Sequence, residues 1–214
     1  MDFTFSPRLK SAAPPLLIFL AILVCSQKSD AQIKSDSEIE RFGFIAGVNI
    51  SNMNFIQGEP PPDIPAASSW KTGFMCGLQL RVPLTNKLLL QPEYVFSQRN
   101  GSDKSLGINY TINYFSLPVL VSYQVFPRLY FIAGPQFEIT IDASSSENGI
   151  TTNITHDVEE RGIGVVGGLE FTILRSIFLS CRYMQGLNHV GIGQRSNTKE
   201  FKYQVISFTA GIRF

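Results

Sequence analysis

Charge is scarce in this chain. Asp, Glu, Lys and Arg make up 16% of its 214 residues, against about a quarter in an ordinary soluble domain. With 44% hydrophobic residues, the composition excludes a disordered chain and argues against a densely charged, water-facing surface. Lys and Arg (18) nearly cancel Asp and Glu (17) to a net charge of +1, so the chain carries no basic footprint for nucleic acid. Three Cys and two His leave little material for a disulfide framework or a multi-ligand metal centre. Long apolar runs are missing as well. After the first 31 residues none reaches the ~20 residues of a helical span, so a membrane role would require a closed β-barrel, which leaves no backbone edge exposed to lipid.

The first 31 residues read as an export signal. Arg8 and Lys10 precede an uninterrupted apolar run from Leu16 to Val24, and Ser29 and Ala31 occupy the small-residue positions of a cleavage site before Gln32. Lipoprotein processing at Cys25 is disfavoured, because Val24 stands where a small residue is needed. The expected organisation is a signal peptide at 1–31 cleaved after Ala31, a short periplasmic lead at 32–41, and a single domain at 42–214.

That domain is dominated by period-two alternation, the signature of strands with two different faces. Phe42, Phe44, Ala46, Val48 and Ile50 alternate with Gly43, Ile45, Gly47 and Asn49. Further runs follow at about 71–82, 88–97, 108–125, 129–141, 163–173, 177–183 and 205–214. Between Tyr114 and Phe115 the apolar residues change parity, which predicts a β-bulge there. The connections alternate between long, polar segments and short ones such as "PLTNK", "FPR" and "LRS"; "RNGSDKSLG", 143–158 and 188–200 read as polar loops. Eight strands with this rhythm predict an all-β fold: an eight-stranded antiparallel up-and-down transmembrane β-barrel. An even strand number puts both termini on the periplasmic side.

The more apolar parity of each strand contains no charged residue. Arg81, Glu93, Glu138, Glu170, Arg182 and Arg213 all fall on the opposite parity, beside many glycines. A lipid-facing Arg or Lys at mid-depth costs ~2–4 kcal/mol, so the apolar parity is expected to face lipid. The six charges would then form a network in a lumen just wide enough for side chains, a structural plug in preference to a conduction path. Aromatics at the strand ends suggest interfacial girdles: Trp70, Tyr94, Phe96, Tyr110, Tyr114 and Phe137 at the external rim, and Phe42, Phe44, Tyr123, Phe131, Phe171 and Phe214 at the periplasmic one. In "FTAGIRF", Phe208, Ile212 and Phe214 resemble the C-terminal assembly signal that the barrel assembly machinery reads.

The segments "GVNISN", "LLLQPEYVFSQRNG", "INYFSLPVLVSY", "YFIAGPQF", "GIGVVGGLEF", "CRYMQGLNHV" and "FTAGIRF", in this order, resemble the PorT-like outer-membrane β-barrel proteins over essentially the whole domain. The resemblance implies an outer-membrane barrel of a Gram-negative envelope, with a link to protein secretion as one role.

Other chemistry finds little support. "GIGVVG" (Gly162 to Gly167) matches a dinucleotide-binding pattern but lies inside a strand, with no helix after it. His156 and His189 fall in loops without a strand-borne nucleophile at triad spacing. Cys76 and Cys181 share the apolar parity, on strands not expected to be neighbours. The expectation is a non-enzymatic outer-membrane barrel without cofactor or metal, probing its surroundings through external loops. Its partners would be outer-membrane lipid, the assembly machinery and proteins at those loops, and the barrel itself would be monomeric. A small-solute pore and a soluble lipocalin-like periplasmic carrier are the alternatives.

Overall fold

In a computed structural model, the structure describes residues 42–54, 69–103, 107–147, 149–192 and 199–214. The signal peptide and the 32–41 lead lie outside the described residues. Eight strands make the wall among those described: β1 Phe42–Asn54, β2 Lys71–Leu80, β3 Leu88–Asp103, β4 Ile108–Phe126, β5 Leu129–Glu147, β6 Arg161–Thr172, β7 Ile177–Gly186 and β8 Lys199–Arg213. Each pairs antiparallel with the next in sequence. Pairing of β1 with β8, from Gly43 opposite Arg213 to Asn54 opposite Lys202, closes the ring. Closure leaves every strand paired on both sides, which removes the edge problem of an open sheet.

One end of the barrel is tightly stitched. In the turns at 84–87, 127–128 and 173–176 a backbone carbonyl accepts from the next hairpin: Lys87 O from Gln124 N (2.8 Å), Arg128 O from Thr172 N (2.8 Å) and Ser176 O from Arg213 N (2.7 Å). Phe214 N donates to Phe42 O at 2.8 Å and completes the circle. At the opposite end the strands run higher and unevenly. β5 continues to Glu147 and folds back as Ile150–Asn153, which pairs with it from Ser144 to Glu147. A short 3-10 turn, Thr155–Asp157, follows. Val190–Ile192 adds to β8. Much of 143–158 and part of 188–200, expected as loops, is therefore strand. β3 likewise runs through Arg99 to Asp103, where a loop was expected from Arg99 onward.

The parity change at Tyr114–Phe115 has a different cause from the one the sequence suggests. Along β4 the inward set is unbroken: Tyr110, Ile112, Tyr114, Ser116, Leu120 and Ser122 are all buried. The register irregularity lies across the ladder in β5, where Tyr114 faces Thr140 and Asn113 faces Asp142, leaving Ile141 as the extra residue. What changes in β4 is the chemistry of its faces. Toward the turns, apolar residues such as Phe115, Val119 and Val121 point out and Ser116 and Ser122 point in. Beyond Phe115, Asn113 and Thr111 occupy the outward parity and Tyr114, Ile112 and Tyr110 point in.

Four other strands invert as well. On β8 the outward set passes from Phe208 and Ile206 to Gln204 and Lys202, while the inward set passes from Thr209 and Ser207 to Val205, Tyr203 and Phe201. On β1 the switch falls between Ile50 and Asn52, on β3 between Phe96 and Gln98, and on β7 between Tyr183 and Gln185. Two groups of these positions are each aligned in register: Ile50 faces Ile206 and Ile206 faces Tyr183, and separately Phe96 faces Phe115. The wall is thus apolar outside over one stretch, which encloses the buried charges, and more polar outside above it, where the interior is apolar. On β4 the apolar-outside stretch runs from Phe115 to Val125, matching the ~9–11 residues of a strand that crosses a bilayer. Tyr110 and Tyr114, expected in the external girdle, are interior residues of the upper stretch (6% and 2% exposed).

Candidate functional site: a polar interior closed at one end

The lower stretch of the interior mixes apolar side chains, such as Ile45, Met75, Val95 and Phe178, with polar and charged ones, and the charged ones bond in layers. Nearest the turns, Glu170 on β6 takes two guanidinium partners, Arg81 after β2 at 3.1 Å and Arg213 on β8. Arg81 lies over the Tyr130 ring (4.7 Å) and Arg213 over Phe178 (3.5 Å). Gln79, with its amide oxygen turned inward, accepts from Arg213 Nε at 2.7 Å. Gly211 makes room for this stack, since a Cβ there would sit 2.2 Å from the Phe178 ring.

The next layer pairs Glu93 on β3 with Arg182 on β7 in a two-pronged contact, at 2.5 and 2.9 Å. Gln91 joins the layers by donating to Glu93 Oε1 at 2.8 Å and to Glu170 Oε2 at 3.5 Å. Arg182 Nε donates to Ser180, whose hydroxyl bonds Thr209 at 2.6 Å. Higher still, Arg99 on β3 grips Glu138 on β5 with both terminal nitrogens, one at 2.7 Å. Ser116 and Gln136 also donate to Glu138. Tyr114 and Tyr203 receive the Arg99 guanidinium on their rings at 4.8 and 5.1 Å. Short, bidentate, charge-assisted contacts of this type fix side chains rigidly.

Between the Glu93–Arg182 and Arg99–Glu138 layers lies a cavity of about 30 Å³, bordered by Ser97, Ser116, Met184 and Ser207 among others. It has room for a water or two and for no larger solute. Above Arg99 the interior turns apolar. Met53, Tyr110, Ile112, Ala143, Phe201 and Tyr203 pack there with Val158 and Val190, which the connections after β5 and β7 fold inward. This cork stands level with the stretch where the outside is polar.

All six charges singled out in the sequence point inward: Arg81, Glu93, Glu138, Glu170, Arg182 and Arg213. The structure joins Arg81 and Arg213 to Glu170 and Arg182 to Glu93, and gives Glu138 a partner that the sequence reading missed, Arg99. The signal was present in the alternation Glu93, Val95, Ser97, Arg99, but a turn-rich "RNGSD" obscured it. Phe208, Ile212 and Phe214 lie exposed in the outward row of β8. Cys76 and Cys181 are free and exposed on the outward face. "GIGVVG" is interior to β6, and no group of three metal-ligating side chains occurs among the described residues. An outward band of Phe44, Leu78, Phe131, Leu169 and Ile212 around a charged centre is the reverse of a lipocalin-like carrier, which hides its apolar face within.

A closed eight-stranded ring, apolar outside over one bilayer's depth and salt-bridged within, defines a transmembrane β-barrel of the outer-membrane type. The chain belongs to the family of the outer membrane protein beta-barrel domain, which matches residues 29–191. Among solved structures it is similar to Neisserial surface protein A (15% identity, TM-score 0.51, covering 81% of this chain and 97% of that one). Ail, the attachment invasion locus protein of Yersinia pestis, matches at 15% identity and TM-score 0.47, over 82% of this chain and 99% of that one. OprG of Pseudomonas aeruginosa matches at 12% and 0.44, over 82% and 97%. At such identities the likeness is one of fold alone. No curated protein sequence matches the chain.

Proposed function

We propose that this is a sealed, non-enzymatic barrel of the Gram-negative outer membrane that acts through its exposed external surface. Its short turns and the Phe42–Phe214 pair face the periplasm. The observation that carries this reading is how the interior is filled: among the described residues, three layers of paired charge, a cavity of about 30 Å³ and an apolar cluster follow one another along it. The resemblance to PorT-like barrels supports a secretion-accessory role as one form of that surface activity. The natural test is planar-bilayer recording of the purified protein. It is expected to show no stable conductance, and large, long-lived openings would establish the small-solute pore instead.

The same reading assigns the outward row Phe208, Ile212 and Phe214 on β8 to recognition by the assembly machinery. Phe214 packs edge-on against Phe44 at 6.0 Å, so its ring also contributes to the finished wall. Phe214→Ala is expected to lower the amount of assembled, heat-modifiable barrel in cells severalfold while leaving refolding into detergent micelles nearly unchanged. Equal losses in both measurements would assign Phe214 to stability and not to assembly.

A further inference from the structure

Directly above the outward apolar band, most strands present the same chemical group. The first outward residue beyond the band is Asn52 on β1, Gln98 on β3, Asn113 on β4, Gln185 on β7 and Gln204 on β8. Each stands two positions from the last apolar or aromatic residue of its row, and each is half-buried between two buried inward neighbours. The other three strands place Thr72, Asp142 and Arg161 there. A carboxamide offers donors and an acceptor without charge, so this row is polar but largely neutral.

The row divides into two arcs that differ in how they are satisfied. Across β7, β8 and β1 the carboxamides bond one another: Asn52 Nδ2 donates to Gln204 Oε1 and Gln204 Nε2 to Gln185 Oε1, both at 3.5 Å, and the Tyr183 hydroxyl donates to Gln185 at 2.8 Å. Across β3 and β4, Gln98 faces Asn113, and the arc is left open. The Gln98 carboxamide makes no hydrogen bond among the described residues. Asn113 reaches Asp142 only at 3.5 Å, and its own Oδ1 has no partner. Below this arc lies a shelf of rings. Phe74, Phe96 and Phe115 follow one another with centroids 5.6 and 6.0 Å apart, and Tyr94 stacks on Phe115 at 5.2 Å. Under Asn52 and Gln204 stand Ile50 and Ile206 instead. Besides the inward Arg99, the described cations of this end are Lys71 on β2, Arg161 on β6, and Lys199 and Lys202 on β8, whereas β3 and β5 bring Asp103, Asp142 and Glu147.

We propose that the Gln98–Asn113 arc, with the aromatic shelf below it, is a docking site for the uncharged sugar headgroup of a membrane glycolipid. The inference rests on the membrane reading above, which puts the arc at headgroup depth. A sugar ring has a C–H face that packs on aromatic side chains. Its hydroxyls are donors and acceptors at once, as the carboxamides are. A phosphate headgroup calls for cations in charge-assisted contact, and among the described residues β3, β4 and β5 turn none outward at this end. A lipid-borne sugar fits better than a free one because the outward band continues below the shelf, with Val119 and Val121 exposed to receive the acyl chains.

The test is site-resolved photocrosslinking of the full chain, purified from membranes and placed in phosphatidylcholine nanodiscs. Trace glucosyl diacylglycerol or trace phosphatidylcholine, each with the same diazirine on its acyl chain, is photolysed and the labelled peptides are mapped by mass spectrometry. One hydrogen bond of ordinary net strength is worth about fivefold in affinity. The glucosyl probe is therefore expected to label β3 and β4 about fivefold more than the phosphatidylcholine probe, and β1 and β8 equally. The excess is expected to persist in about 1 M salt, where the screening length is ~3 Å. Q98A/N113A, checked for folding by heat-modifiable migration, is expected to lose the excess, and N52A/Q204A to keep it. Equal labelling by the two probes in the parent protein, an excess that survives Q98A/N113A, or an equal loss in N52A/Q204A overturns the inference. An equal or larger excess with a phosphatidylglycerol probe also overturns it, by assigning the arc to phosphate. If no probe labels the outward band at all, the membrane reading itself is removed.

Discussion

Replacing Glu170 by Gln is expected to destabilise the barrel by about 3–5 kcal/mol, the cost of removing one member of a buried ion pair. Glu170 is fully buried and is the one carboxylate in contact with both Arg81 and Arg213. The neutral amide leaves two guanidinium groups facing each other in a space with little water. Among the described residues the interior carries four Arg, namely 81, 99, 182 and 213, against three Glu, namely 93, 138 and 170, so no spare acid can take its place. Glu93 is already held by Arg182 from two sides, and Glu138 by Arg99. Adding Arg81→Gln to Glu170→Gln is expected to recover part of the loss, because one unpaired cation goes with it. Urea-dependent folding into lipid vesicles measures all three proteins. A Glu170→Gln barrel as stable as the parent would mean that the layer is open to solvent and that its pairing contributes little.

Val119→Arg is the second large effect, at about 2–4 kcal/mol in the same measurement. Val119 points outward from β4, midway along the stretch from Phe115 to Val125, where an Arg would have to reach through acyl chains to find water. Asn113→Arg, six residues earlier on the same face of the same strand, is expected to be close to neutral. Asn113 lies beyond the level at which β1, β3, β4, β7 and β8 exchange apolar for polar outward residues. The contrast within one strand separates a depth effect from a general intolerance of β4 to bulk or charge. Similar costs at the two positions would remove the assignment of the membrane boundary to the Phe115–Asn113 step.

That boundary shows how a correct pattern can be given the wrong cause. The shift in apolar parity at Tyr114–Phe115 is plain in the sequence, and a backbone irregularity is the ordinary explanation for such a shift. Yet β4 keeps its alternation, and the irregularity belongs to β5, at Ile141. Nothing in the order of residues along β4 says whether the strand rotates or its surroundings change. The neighbours decide it: Phe201, Tyr203 and Met53 arrive inside from β8 and β1 and give Tyr110, Ile112 and Tyr114 an apolar core to enter. Arg99 has a similar history. Its turn-like neighbours suggest a loop, and its inward position follows only once β3 continues upward beside β4 and brings it opposite Glu138.

Strand number, the outward band and the inward placement of six charged side chains were all legible along the chain, because each depends on period-two spacing within one strand; the connection between β3 and β4, expected to be long, is only 104–107. A strand carries its two faces in its own residue order, whatever lies beside it. Which carboxylate meets which guanidinium, and where the interior passes from charged layers to an apolar cluster, depend on the register and closure of strands far apart in sequence. Only the folded ring sets those distances, and the ends of that ring, where lipid gives way to water, are where the reading along the chain and the structure part company.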